Sequence, residues 1–242
     1  MDQDAENEKV KAAADHGLRI AHGRFSDGHR SAAGREPTGL KMVHSQSSDD
    51  QNCTAGGSLQ VLRLDEEQIR QIYNQHISRD FPPSERRSLK NLLLLLARGE
   101  YECLGAFDEN GLTGYAFFVR HEKDLLLDYF AVTEGQRGRG IGSQFLQLIG
   151  EYFADADSLI AEIDDPDASV TEQERAHRLR RKAFYERNGF RDTGARVRTF
   201  GVPYQLIECG KNTHSAQETC DLYAMHYRHI LPKPIYNRVI RF

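Results

Sequence analysis

The stretch FAVTEGQRGRGIGSQFL, Phe130 to Leu146, constrains the fold more than any other part of this chain. An apolar run that reads as a buried strand passes through Gly138, Gly140 and Gly142, interleaved with Arg137 and Arg139, and enters an amphipathic helix at once. The first turn of a helix carries backbone N–H groups without intrahelical partners and about half a positive charge. Glycines let the backbone come close to a ligand and take positive φ where needed. Two arginines add charge, so the loop suits an anion, and its geometry suits a pyrophosphate.

The surrounding chain predicts an α/β architecture. Residues 1–57 are rich in Ser, Gly, Asp, His and Ala, and Phe25 is their only aromatic. They read as a disordered tail, with a transient helix near Glu6 to Ala14, because so few apolar groups cannot offset the entropy of ordering. A domain over 58–242 follows. LQVLRL, Leu59 to Leu64, alternates as a strand does, and Asp65 caps a helix to about Ser78. Pro82-Pro83 breaks the chain, and Ser84 caps a second helix through Leu96. YECLGAFD and LTGYAFFVR are joined through Asn110-Gly111, a hairpin pattern. KDLLLDYFAV, Lys123 to Val132, is apolar enough for a central strand. A helix from about Gly140 to Phe153, the strand SLIAEI (Ser158 to Ile163) and a basic helix with a Thr171–Glu174 capping box, ending at Asn188-Gly189, come next. Short strands near Arg196 to Phe200 and Tyr204 to Cys209 precede a helix from about Ala216 to Ile230 and a Pro-broken tail. This order gives a mixed sheet with helices on both faces.

Composition excludes several classes. The 242 residues carry a formal net charge of -4, with 32 Lys plus Arg against 36 Asp plus Glu, so no global field points to nucleic acid or membrane. No apolar run reaches a membrane span, and the acidic start MDQDAENE is unlike a secretory or transit leader. Four scattered cysteines form no CxxC pair, which predicts a reduced, cytoplasmic protein. The ten histidines show no ligand spacing, and His226 and His229 are expected at the surface, so no metal is expected.

Two phosphate motifs fail on the loop itself. A Walker A sequence would end in Gly-Lys-Ser/Thr, and a dinucleotide fingerprint would place glycine where Ser143 stands. LLLDYFAVTEGQRGRGIGSQFL instead resembles motif A of the GNAT superfamily of acyl-CoA-dependent N-acyltransferases, Arg/Gln-x-x-Gly-x-Gly/Ala after an apolar strand. Arg137, Gly140 and Gly142 fill its fixed positions. AFYERNGF, Ala183 to Phe190, resembles the family's motif B, and the spacing and intervening strand also fit. The resemblance covers about 59–209.

It implies a GNAT fold, a central, mostly antiparallel twisted sheet flanked by helices, with acetyl-CoA as co-substrate and no metal. The groups at Arg137, Gly138, Arg139, Gly140, Ile141, Gly142 and Ser143 would hold the pyrophosphate. The edge at Phe130, Ala131 and Val132 would pair with the pantetheine arm, and the Val132 N–H would meet the thioester carbonyl. Tyr185 would be the general acid. Asp128, which by simple alternation shares a side with Phe130 and Val132, or Glu162 would be the base. The family often has an asparagine seven residues before its tyrosine; here Arg178 stands there and is expected to reach a phosphate instead. Arg175, Arg178, Arg180, Arg181 and Lys182 make that helix basic, reading as a solvated face or as a contact for the 3′-phosphate or an acidic partner.

The implied reaction is acetyl transfer to a primary amine of a small molecule or peptide. Glu162, Asp164, Asp165 and Asp167 crowd a strand end and would favour a cationic acceptor. No nucleic acid or membrane partner is expected, and the chain is expected as monomer or homodimer. The alternative is a catalytically silent GNAT-fold module that binds or senses acyl-CoA.

Overall fold

In the computed structural model, residues 59–81 and 86–242 are described; the tail over 1–57, Cys53, Pro82-Pro83 and Ser84 lie outside them. Eight strands form one sheet in the order β1-β2-β3-β4-β5-β7-β6-β8. The strands are β1 (Gln60–Arg63), β2 (Tyr101–Asp108), β3 (Gly111–His121), β4 (Asp124–Val132), β5 (Ser158–Asp164), β6 (Arg191–Thr199), β7 (Val202–Gly210) and β8 (Ile240–Arg241). Every pairing is antiparallel except β4 with β5.

Helix α1 starts at Glu66 under a capping box between Asp65 and Gln68, then passes from Ile72 through a π-helical turn at Tyr73–Ile77 into Ser78–Asp80. The next helix, α2 (Leu89–Ala97), begins later than the sequence suggests. Its cap is Ser88, whose hydroxyl accepts from the Asn91 N–H. Then come α3 (Ile141–Tyr152), α4 (Glu172–Arg187), α5 (Ala216–Ile230) and α6 (Lys233–Val239). At the start of α4, Thr171 caps the Glu174 N–H, while the Glu174 carboxylate accepts from Val170. The tail past Pro232 is therefore ordered, and β8 adds a short edge beside β6.

Two apolar layers lie on the two faces of the sheet. On one, Ile69, Ile72, Leu92, Leu95, Tyr223 and Tyr227 from α1, α2 and α5 pack over Tyr101, Phe117, Tyr129 and Leu206. On the other, Phe145, Leu146, Ile149 and Tyr185 from α3 and α4 pack over Phe118, Leu127, Phe130 and Ile207. Helix α5 shows why. Tyr223, His226, Tyr227 and Ile230 recur at three and four residues, one stripe, and all are buried. His226 is thus a core residue and not a surface one. Burial holds its imidazole down to about 3, with His121 and His229 adding to the effect.

Two features of β4 position the site. Leu127 pairs with Phe118 but Tyr129 with Phe117, so Asp128 is an extra residue, a β-bulge. The parallel pairing with β5 covers only Asp124–Leu127 against Ser158–Ala161. Beyond Leu127 the two strands diverge, and the C-terminal half of β4 keeps β3 on one side and an open edge on the other.

Candidate active site

The open edge fixes which backbone groups are available. In an antiparallel ladder, successive residues turn their N–H and C=O to alternate sides. Thr133 N–H donates to the Thr113 C=O on β3 at 2.9 Å. Val132, one residue earlier, therefore turns its N–H away from β3, into the gap left by β5, and so does Phe130. The Val132 C=O accepts from Arg137 Nε at 3.1 Å, which ties the loop back onto the strand.

The loop is shaped by left-handed backbone. Gly138 has φ +78° and Gly140, the N-cap of α3, has φ +81°. A side chain there would cost roughly 1–2 kcal/mol. The N–H groups of Ser143 and Gln144 both bond the Gly140 C=O, at 3.0 and 3.2 Å. The donors left ahead of the helical ladder are those of Ile141 and Gly142, so Ser143 is used within the helix. A Cβ on Gly142 would stand 3.2 Å from the Phe184 ring and 3.5 Å from Val132 Cγ2. The glycine is what lets the helix start approach the strand.

A cavity of about 230 Å³ lies here, lined by Val132, Gln136, Arg137, Gly138, Gly140, Ile141, Gly142, Ser143, Phe184 and Arg187. Phe184 and Arg187 belong to the last turn of α4 and were not singled out in the sequence, although both flank Tyr185 inside AFYERNGF. Arg139 points elsewhere, donating to Gln136 Oε1 at 2.8 Å. Arg137 also lies 3.6 Å from Asp80, which accepts from the Tyr115 hydroxyl at 2.8 Å and links the loop to the end of α1. Phe130 packs its ring on Phe145, Phe184 and Tyr185, while Ala131 turns to the opposite layer.

Tyr185 is buried on the α3–α4 face, between Phe130, Phe184 and Phe190. Asp128 is on the other face. The bulge breaks the alternation, so Asp128 does not share a side with Phe130 and Val132. Its carboxylate accepts from Arg87 Nε at 2.7 Å, from Arg87 Nη2 at 3.5 Å and from the Tyr101 hydroxyl. The side chains of Arg87 and Asp128 are 2% and 0% exposed, so the pair is dry.

Glu162 lies on the same face as Asp128, buried, and its Oε1 accepts from the Tyr227 hydroxyl at 2.7 Å. Burial pushes its carboxyl up to about 8, against hydrogen bonds from Tyr227 and Tyr223 that favour ionisation. Asp128 and Glu162, the first residues past the paired stretch of β4 and β5, thus lie on one face of the sheet, and Tyr185 lies on the other.

The acidic strand end and the basic helix are paired in part. Arg181 lies 3.7 Å from Asp164, and Arg175 3.8 Å from Asp167. Arg178 donates to the Asp165 C=O at 2.6 Å and pairs with Glu174, so it turns away from the phosphate-type loop. Lys182 bonds Asp192 at 2.7 Å. Among the described residues, no cluster of His, Cys, Asp and Glu is arranged to hold a metal ion, and no helix is long and apolar enough to cross a membrane.

The family model of the GNAT acetyltransferase domain matches residues 99–192. A comparison with curated proteins found no match. Among solved structures, the chain resembles a Bacteroides thetaiotaomicron protein described as an acetyltransferase of the GNAT family. Identity is 19%, over 72% of this chain and 99% of that one, with a TM-score of 0.57. A Desulfovibrio desulfuricans protein, also described as a GNAT-family acetyltransferase, matches at 20% identity over 64% and 100% of the chains, with a TM-score of 0.47. A mutant of spermidine N-acetyltransferase from Vibrio cholerae matches at 13% identity over 63% and 94%, with a TM-score of 0.48. The likeness to the first of these is one of fold, and the stretch from the end of α2 into β6 matches the GNAT acetyltransferase domain.

Proposed function

We propose that this chain transfers the acetyl group of acetyl-CoA to a primary amine by direct attack. The observation that carries the reading is the open edge of β4, which turns the Val132 N–H into a gap that ends at the helix-capping glycine loop. The residues fit the co-substrate. Ile141 and Gly142 offer N–H groups to a pyrophosphate, with Arg137 and Arg187 beside the same cavity. Phe130 and Val132 offer backbone groups to an amide-bearing arm laid along the edge, as a missing strand would.

The chemistry then divides across the sheet. Val132 N–H donates to the carbonyl oxygen of the thioester as the amine adds to its carbon. One such donor is worth roughly 2.7–4 kcal/mol of transition-state stabilisation. Glu162 takes the proton lost by the amine, directly or through water. The Tyr185 hydroxyl gives a proton to the departing sulfur, leaving the acetylated amine and the free thiol. Between the two candidate bases, Glu162 is favoured, because Asp128 is held by Arg87 and Tyr101 while a carboxyl poised near 8 ionises close to working pH.

The test is calorimetric titration of coenzyme A into the wild type and Gly140→Glu, followed by thiol release from acetyl-CoA against a panel of amines. Gly140→Glu adds strain and a negative charge at the anion loop, and is expected to weaken coenzyme binding more than tenfold. Tyr185→Phe is expected to bind normally and lose about a hundredfold or more in turnover. Binding without thiol release for any amine would favour the silent, sensing module. Binding that ignores Gly140→Glu would sink the reading of the loop.

A further inference from the structure

Helix α5 lies outside the stretch 99–192 that matches the acetyltransferase domain, yet it reaches the site. It crosses the α1–α2 face of the sheet, packed on β6, β3 and β4. Two of its tyrosines, one turn apart with ring centroids 4.6 Å apart, stand under the gap. The Tyr227 hydroxyl donates to Glu162 at 2.7 Å, and the Tyr223 hydroxyl shares a hydrogen bond of 2.5 Å with Thr199 on β6. Both side chains are fully buried.

We infer that Tyr227 is a positioning residue for the base, so that this C-terminal helix completes the active site and is more than a cover over the sheet. The inference rests on Glu162 being the base. A glutamate in the middle of a strand has three rotatable bonds, and its carboxylate must be held toward the gap to take a proton. The bond from Tyr227 fixes that direction and favours the ionised form. The other charged and titratable groups around Glu162 are Asp128 on β4, which opposes its ionisation, and Arg87 ahead of α2, which favours it; Tyr223 on α5 donates a further hydrogen bond. Asp128 and Arg87 are bonded to each other, which leaves the α5 tyrosines as the neighbours whose bonds are directed at Glu162 itself.

Tyr227→Phe removes the hydroxyl and keeps the ring packed on Tyr223. The measurement is the side-chain carboxyl carbon resonance of Glu162 against pH in the full chain, assigned with Glu162→Gln. It is followed by kcat/KM against pH with whichever amine of the panel releases thiol. The carboxyl midpoint is expected to rise by about one pH unit in Tyr227→Phe, with kcat/KM at pH 7 about tenfold lower and KM for acetyl-CoA unchanged. A carboxyl midpoint that does not move would overturn the inference. A midpoint that moves while the rate profile stays fixed would overturn the assignment of Glu162 as base and leave Tyr227 a structural partner. Should Tyr227→Phe fail to fold, the Tyr227 Cζ resonance of the wild-type chain must titrate with the Glu162 midpoint. Two unrelated midpoints would refute the bond.

Discussion

Removing Arg87 should cost this protein a large share of its stability, and the size of the loss follows from where its partner sits. Asp128 is the bulged residue of a central strand and is fully buried. Its partners are the two Arg87 nitrogens at 2.7 and 3.5 Å and the Tyr101 hydroxyl. In Arg87→Met the hydrocarbon volume is nearly kept, but a carboxylate is left in the core with one neutral donor. Breaking a buried pair from one side costs about 3–5 kcal/mol, against a total of about 5–15 kcal/mol for a domain. Restoring neutrality should recover most of it. Asp128→Asn keeps an acceptor for Tyr101, so Arg87→Met with Asp128→Asn is expected to lie within about 1–2 kcal/mol of wild type. The assay is chemical denaturation of all four members of the cycle at pH 7, with the slope checked for constancy. A loss below about 1 kcal/mol in Arg87→Met, or no recovery in the double variant, would refute the reasoning. It would mean that water reaches the pair and that Asp128 is available to move protons.

Two further predictions follow from the site. Glu162 keeps its proton up to about pH 8 in the fold but releases it near 4.3 in an unfolded chain. Its favourable contribution is therefore fully present below about pH 4 and is lost as pH rises toward 8. Relative to Glu162→Gln, the wild type should lose on the order of 3–4 kcal/mol between pH 5 and pH 8 in denaturation midpoints converted to free energy; a constant difference across that window would contradict it. Gly142→Val puts two methyl groups where one carbon already stands 3.2 Å from Phe184, so the start of α3 must move off β4. Coenzyme A affinity should fall at least tenfold by calorimetry while the fold survives, and unchanged affinity would show that the close approach is not needed.

What could be read from the sequence was local. The Asn110-Gly111 turn, the glycine loop into α3 and the Thr171 cap each lie within a few residues, and each forms where the pattern put it. The bulge could not be read, because it is a mismatch of register between β3 and β4, visible only when Phe117 and Phe118 meet their partners. That single extra residue sends Asp128 to the face opposite Phe130. Its pairing with Arg87 spans 41 residues, and Tyr227 reaches Glu162 across 65, so no window of sequence contains either contact. The burial of His226 was readable in principle, since it shares the helical stripe of Tyr223, Tyr227 and Ile230. A histidine in an apolar stripe is simply discounted when polarity is counted ahead of period.

The same distinction decides what can be said of the acceptor. Counted in sequence, Asp164, Asp165 and Asp167 make an acidic strand end, and Arg175, Arg178 and Arg181 make a basic helix. A field read from either alone would select a cation or an anion. In the fold, α4 lies along the end of β5, and Arg181 with Asp164, Arg175 with Asp167, and Arg178 with the Asp165 carbonyl face one another. Two of these contacts set opposite charges within about 4 Å, so their fields largely cancel beyond a screening length of about 8 Å at physiological salt, while the third leaves the Asp165 carboxylate its charge. The strand end is therefore less acidic, and the helix less basic, than a count along the sequence suggests. On the proposed acetyl transfer, the ionisable groups nearest the gap are Glu162, Asp128 held by Arg87, and Arg137 and Arg187 at the loop. The proposed transfer needs the amine uncharged, since only that form can attack a thioester.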